Sequence, residues 1–143
     1  MIHQRHTLGH VVYLTDSIQF SPDFSESAGC LLPPYPIKDV PYAVYGLIND
    51  YVMKCGGDGS RACYSLQYSE WIEQKSMKAR RSFAAASSLP DGSLVVTGGN
   101  WGPPSVETFK NGDWQQGPYL PVDTKQHCQV TLGTTVIITG RKL

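Results

Sequence analysis

Four cysteines are the residues of this 143-residue chain with the clearest potential for covalent chemistry. Cys55 and Cys63 flank a glycine-rich segment, CGGDGSRAC, which could place them opposite each other on paired strands and so allow a disulfide. They could instead be buried free thiols, because four cysteines permit three fully paired connectivities and the sequence does not choose among them. A zinc site is disfavoured, since no CxxC or paired Cys/His spacing is present.

Histidines offer two further candidate sites, and the geometry expected for each is poor. His3, His6 and His10 would share one face of a helix and could then bind zinc, but a nearby glycine and the β-rich run that follows argue against a helix. His127 beside Cys128 suggests a base and a thiol nucleophile, yet adjacent residues on a strand point to opposite faces. The sequence therefore predicts no catalytic residue, no metal site and no cofactor.

Candidate partner-binding residues fall in three short segments. The loop after Gly56 and Gly57 lacks the GK[ST] signature of a phosphate-binding loop, and we expect it to connect two strands. The tryptophan of NWGPP is either an exposed binding anchor or a side chain packed under a neighbouring sheet. A basic cluster around Met77 either contacts an acidic partner or forms a solvated face with one arginine paired internally. The candidates are Asp58, Ser60, Arg61, Asn100, Trp101, Lys78, Arg80 and Arg81.

The elements that would position these segments form a repeat. An apolar, β-branched run ends at glycine in YVMKCGG, again in LVVTGG with its glycine pair 42 residues later, and once more, clipped, in VIITG. Trp71 and Trp114 keep nearly the same period, at 43 residues. Turn signals such as Asn111 followed by Gly112 separate the short runs. Each unit is therefore predicted to contain four antiparallel strands, the second ending at the glycine pair and the fourth beginning at tryptophan.

In this order the landmarks resemble the Kelch repeat of β-propellers. Six residues carry the resemblance as expected structural positions: Gly56, Gly57, Trp71, Gly98, Gly99 and Trp114. The resemblance implies an all-β fold, a partial Kelch-type propeller with four-stranded antiparallel blades, about two of them complete and two partial. Blades are expected at residues 40–78 and 79–122, and a truncated blade with only its first two strands at 123–143. Residues 1–39 would hold a degraded or partial blade and a proline-rich connector.

The expected propeller is incomplete, because propellers close with about 4 to 8 blades. We therefore expect a fragment of a longer propeller, or one of several chains that together supply the remaining blades. Small residues such as Ala84 suit the crowded innermost strand, and tryptophan at the start of an outer strand can fill the wedge between neighbouring blades.

The expected function is binding. The 12 basic residues balance the 12 acidic ones, which disfavours nucleic acid and anionic membranes as partners. The resemblance implies a non-enzymatic module that binds a protein, or a glycan, through loops between strands. The alternative is part of a galactose-oxidase-type propeller enzyme with copper held by Tyr and His. A Cys55–Cys63 disulfide would favour an extracellular protein, and free thiols a cytoplasmic one.

Overall fold

The computed structural model describes residues 40–140, which form ten β-strands in three antiparallel sheets. We call the sheets blades 1 to 3 in chain order. Blade 1 contains β1 Val44–Ile48, β2 Tyr51–Cys55, β3 Cys63–Gln67 and β4 Glu70–Gln74. Blade 2 contains β5 Ala85–Ser88, β6 Leu94–Thr97, β7 Ser105–Lys110 and β8 Asp113–Tyr119. Blade 3 contains β9 Cys128–Leu132 and β10 Thr135–Thr139. The predicted four-stranded antiparallel blades are confirmed.

Tight two-residue turns set the strand register. Lys110 pairs with Asp113 across Asn111 and Gly112, whose φ angles are 51° and 77°. Positive φ at both central residues is the signature of a turn whose twist matches the strands it joins. The turn from β3 to β4 has the same geometry at Tyr68 and Ser69, residue types that do not signal such a turn. The hairpin there depends on strand pairing rather than on turn chemistry.

The apolar core lies between blades 1 and 2. It comprises buried side chains from both sheets: Val44, Ile48, Met53, Cys55, Cys63, Met77, Leu94, Val96, Phe109 and Trp114. Gly46 shows how close the two sheets come, because a Cβ at this position would collide with the Leu94 side chain. Each four-stranded sheet thus buries one face against its neighbour, as stacked blades must.

Blade 3 meets blade 2 through polar side chains instead. The Gln129 amide nitrogen donates to Ser87 Oγ at 2.8 Å and to the Val95 carbonyl at 3.0 Å. Thr131 Oγ1 donates to the same Ser87 oxygen at 2.8 Å. Thr97 Oγ1 donates to the Gln129 side-chain oxygen. This interface is therefore specified by hydrogen-bond geometry rather than by apolar packing.

The run of small residues over Ser82–Leu89 predicts the first strand of blade 2, and the observed strand β5 is shorter. Phe83 has a φ of 58°, which interrupts the extended chain before Ala85. Its main chain serves a different purpose: its N–H donates to the Tyr42 carbonyl at 3.2 Å, and its carbonyl accepts from the Gln126 N–H at 2.9 Å. Phe83 thereby links the entry points of all three blades. The unit predicted at 1–39, with its three histidines, lies outside the described residues.

Candidate functional site

Glycine pairs fix where the inter-strand loops begin. The Gly57 N–H donates to the Arg81 carbonyl at 2.7 Å in blade 1, and the Gly99 N–H donates to the Thr124 carbonyl at 2.8 Å in blade 2. A Cβ on Gly56, whose φ is 68°, would lie 2.5 Å from the same Arg81 carbonyl oxygen. A side chain there would thus be strained and would also collide with main chain. Both loops leave the sheet at equivalent points.

The loop of blade 1 is tightly held. Cys55 and Cys63 are register partners on β2 and β3, and a disulfide joins them, as one of the two sequence alternatives predicted. The Met77 N–H donates to the Arg61 carbonyl at 2.9 Å, which ties the loop to the chain leaving the blade. Ser60 Oγ turns inward to accept from the Ala62 N–H at 3.1 Å, while Asp58 and Arg61 are exposed. The loop therefore presents its charged side chains from a fixed backbone.

The loop of blade 2 places Trp101 at the surface. The indole is 70% exposed, and the residue has a φ of 75°. A Cβ built on Gly59 would lie 3.8 Å from indole Cε2, so the ring lies beside the bare backbone of the blade 1 loop. A Cβ built on Gly102 would likewise lie 3.8 Å from the Ala79 Cβ, which belongs to the connection between blades 1 and 2. The two loops and the connection between the blades therefore form one surface.

We call this surface the loop face. Its members are Asp58, Ser60, Arg61, Lys78, Arg80, Asn100 and Trp101. Arg61, Lys78 and Arg80 are exposed, and none of the three takes part in an ion pair within residues 40–140. Asn100 contributes least, because it is half-buried and its main chain is engaged with Ser82, whose carbonyl accepts the Asn100 N–H at 2.8 Å. The loop face combines an exposed aromatic ring with three cations outside ion pairs, of which Lys78 also helps to lower the pKa of Asp113.

Arg81 does not reach this surface, although its neighbours do. Its side chain is 2% exposed and forms an ion pair with Glu107, which is fully buried, at 2.9 Å. The guanidinium also donates to the carbonyls of Gly98 and Ser105, at 2.5 Å and 3.1 Å. Arg81 was a binding candidate from sequence, but the structure places it inside blade 2, as the internally paired arginine of the competing interpretation. It has no surface with which to contact a partner.

Glu107 is the buried partner that sequence analysis missed. Its carboxylate accepts the N–H groups of Lys78 and Ala79, at 2.7 Å and 3.0 Å. It therefore fixes the connection that carries Lys78 and Arg80 to the loop face. The alternation of residues along β7 could have indicated that Glu107 is buried, because it shares the inward face with Ser105 and Phe109.

The two tryptophans at outer strands occupy equivalent register positions. Trp114 pairs with Phe109, and Trp71 pairs with Leu66. Trp114 is buried, and its indole N–H donates to the Lys75 carbonyl of the preceding blade at 2.7 Å. Trp71 is half-buried, and no described residue forms a blade on its side of blade 1. Trp114 thus fills the space between blades, where sequence analysis expected tryptophan.

Comparison with known proteins gives the fold but no family. No family model matches the sequence, and no curated protein matches it. The solved structure of YjhT superimposes with a TM-score of 0.66 at 21% identity, covering 77% of this chain and 36% of YjhT. The chain has the fold of a partial Kelch-type β-propeller.

A second solved structure shares the propeller architecture. It is a fungal alcohol oxidase of the AA5 family in complex with copper, with a TM-score of 0.52 at 17% identity. The match covers 62% of this chain and 20% of the oxidase. The described part of the propeller therefore spans about a third of the length of one neighbour and a fifth of the other. At these identities the likeness concerns the fold alone.

Clusters of His, Cys, Asp and Glu were considered as metal sites among the described residues. Within residues 40–140 no group of three His, Cys, Asp or Glu side chains could hold a metal. The one histidine in that range, His127, is buried, with Nε2 2.8 Å from Thr97 Oγ1. Burial lowers the pKa of its imidazole, while Cys128 is an exposed free thiol. The alternative of a propeller enzyme with copper held by Tyr and His stays a prediction.

Proposed function

We propose that this propeller segment is a non-enzymatic binding module that recognises a protein partner through the loop face. The exposed, strained conformation of Trp101 carries the proposal. A non-glycine residue in the left-handed region costs about 1–3 kcal/mol, and such strain concentrates at ligand-binding positions. Trp101 gains little burial in return, since the residue is 70% exposed.

The charges around the ring favour an acidic partner. Arg61 lies on the blade 1 loop next to the indole, and Lys78 and Arg80 lie on the connection that packs against the Trp101 loop. Asp58 is the single acidic member of the loop face. Exposed positive groups outside ion pairs attract carboxylates and accelerate association. A flat indole offers a contact surface for an aromatic or aliphatic side chain at low entropic cost. We infer that the partner presents an acidic segment with at least one large apolar side chain.

Preorganised loops suit this role. The Cys55–Cys63 disulfide and the hydrogen bond from the Met77 N–H to the Arg61 carbonyl fix the blade 1 loop before any partner arrives. A loop that is already ordered loses less conformational entropy on binding. The disulfide also supports an oxidising compartment, and we propose that the module acts outside the cytosol. Within residues 40–140 no helix is long and apolar enough to cross a membrane.

A displayed random peptide library, selected on immobilised protein, tests the proposal. We expect the enriched peptides to combine Asp or Glu with an aromatic or aliphatic residue. Trp101→Ala should weaken binding of a selected synthetic peptide at least tenfold, because aromatic anchors dominate binding free energy. Tyr68→Ala is the matched control, since Tyr68 is also an exposed aromatic with positive φ but lies in the turn between β3 and β4.

Three outcomes separate the alternatives. Equal loss of affinity in the two variants would contradict an anchor role for Trp101. Selected peptides without acidic residues, whose affinity is independent of salt, would contradict the role of the cations. Failure to enrich any peptide, together with Trp101-dependent binding on a glycan array, would replace the protein partner by a glycan.

A further inference from the structure

Ser82 is hydrogen-bonded to both inter-strand loops. Its hydroxyl oxygen accepts the Gly59 N–H of the blade 1 loop at 3.0 Å. Its carbonyl accepts the N–H of Asn100, the residue before Trp101 in the blade 2 loop, at 2.8 Å. Ser82 is 2% exposed and lies in the connection between blades 1 and 2. One buried residue therefore contacts the main chain on both sides of the loop face.

A tight turn at the tip of the blade 1 loop leaves the Gly59 N–H available to Ser82. In this turn the Ser60 N–H donates to the Gly57 carbonyl at 2.7 Å, and Asp58 and Gly59 are the central residues. Their φ angles are 42° and 72°, so both lie in the left-handed region. The hydrogen bond that closes the turn does not use the Gly59 N–H, which donates to the Ser82 hydroxyl instead. This hydroxyl therefore holds the tip of the loop.

The tip lies against the indole on which the proposed function rests. A Cβ built on Gly59 would be 3.8 Å from Cε2 and 3.9 Å from Nε1 of Trp101. Asp58 precedes Gly59, and Arg61 follows it by two residues, with both side chains exposed. A shift of the tip would therefore change how the indole is covered and how far these two charges lie from it.

We propose that Ser82 is the positioning residue of the loop face, an inference that rests on the proposed binding function. Its hydroxyl holds the blade 1 turn beside the Trp101 indole, so that one acidic segment of a partner contacts the ring and the Arg61 guanidinium together. Without this hydrogen bond the turn would be less ordered before binding, and ordering it on binding would lower the affinity. Ser82 is buried, so it acts through the turn and the indole and not by contact with the partner.

Ser88 supplies a matched control for the Ser82 hydroxyl. Ser88 Oγ donates to the Leu47 carbonyl at 2.6 Å, so it is also a serine hydroxyl that links blade 2 to blade 1. Ser88 is the last residue of β5, whereas Ser82 precedes the first residue of that strand. The two hydroxyls therefore lie at opposite ends of β5, and Ser88→Ala should leave the loop face unchanged.

Amide hydrogen exchange followed by NMR tests the positioning role without a partner. In Ser82→Ala the exchange rate of the Gly59 N–H should rise at least about fivefold, because its acceptor is lost. The Gly57 N–H, which donates to the Arg81 carbonyl, should exchange as before. Ser82→Thr keeps a hydroxyl and should restore slow exchange, and Ser88→Ala should not change it. An unchanged Gly59 rate in Ser82→Ala would overturn the proposal.

Affinity for a peptide selected on the loop face gives the second readout. Ser82→Ala should weaken binding about fivefold, but at most about twofold in a Trp101→Ala background, because the hydroxyl acts through the indole. Equal losses in the two backgrounds, or an equal loss in Ser88→Ala, would indicate a general structural role and contradict the proposal. Full affinity in Ser82→Ala alongside a loss in Trp101→Ala would overturn it and leave the proposed function standing. If Trp101→Ala binds as well as the original chain, the proposed function fails, and the exchange measurement still decides the role of Ser82.

Discussion

Replacing Glu107 by glutamine removes one buried negative charge from blade 2 while preserving side-chain volume. The carboxylate accepts the main-chain N–H groups of Lys78 and Ala79 at 2.7 Å and 3.0 Å. It also accepts from Arg81 Nη2 at 2.9 Å and from Nε at 3.3 Å. Every partner is a donor. A glutamine amide has one acceptor oxygen, and its NH2 group would face donors that it cannot satisfy.

The expected loss of stability is large. Glu107→Gln leaves the Arg81 guanidinium without a counter-charge at a site where its side chain is 2% exposed. Breaking a buried ion pair from one side costs about 3–5 kcal/mol. With a urea m-value of about 2 kcal/mol/M for a small domain, the unfolding midpoint should fall by about 2 M. The connection carrying Lys78 and Arg80 should loosen as well, because Glu107 holds it.

Urea unfolding followed by tryptophan fluorescence measures this shift, since Trp114 is buried between blades and will report its exposure. The matched control is Asp91→Asn, which breaks an exposed ion pair with Lys110 of similar length, 2.7 Å. The midpoint of that variant should stay near the original value, because exposed ion pairs contribute little. Equal midpoint shifts in the two variants would show that burial does not increase the contribution of the Glu107–Arg81 pair. The ion pair would also not be coupled if the double variant Glu107→Met, Arg81→Met loses as much unfolding free energy as the two single variants added together.

Three further predictions concern blade construction. The double variant Cys55→Ala, Cys63→Ala should lose about 2.5 kcal/mol of unfolding free energy from the loop-closure model, given their separation of 8 residues; an unchanged urea midpoint would contradict this. Gly98→Ala should lower the thermal midpoint more than Gly133→Ala, because both have positive φ but only Gly98 has main chain where the Cβ would lie; equal shifts would count against this packing argument. Burial lowers the pKa of His127, so the unfolded chain binds a proton at higher pH than the folded chain. Stability should then fall as pH drops below about 6.5, and His127→Asn should remove that part of the slope.

Main-chain requirements made much of the fold predictable from sequence. The run Leu94–Thr97 was expected as a strand and is one, with all four residues buried. A short apolar, β-branched run that stops at glycine favours a buried strand. The turn at Asn111 and Gly112 was also expected, because these residue types tolerate positive φ in both central positions. Such local signals repeat with the blades, so two copies reinforce each other.

Contacts between distant parts of the chain were harder to predict. Nothing local distinguishes Arg81 from Arg80, yet one is buried and the other exposed. The difference arises from Glu107, 26 residues away, whose position inside blade 2 depends on the whole sheet. Phe83 was expected within a strand because its neighbours are small and apolar, but bonds to Tyr42 and Gln126 hold it in a left-handed conformation. Inter-blade contacts of this kind override local propensity.

The repeated frame explains why the candidate site lies on the loops. Gly57 and Gly99 make the same main-chain bond to the connection that follows each blade, and neither bond uses a side chain. These main-chain hydrogen bonds therefore do not restrict which side chains the loops carry. A disulfide closes the loop of blade 1, and the loop of blade 2 carries the exposed Trp101. The strain and exposure of Trp101 are therefore the features on which the proposed partner contact rests.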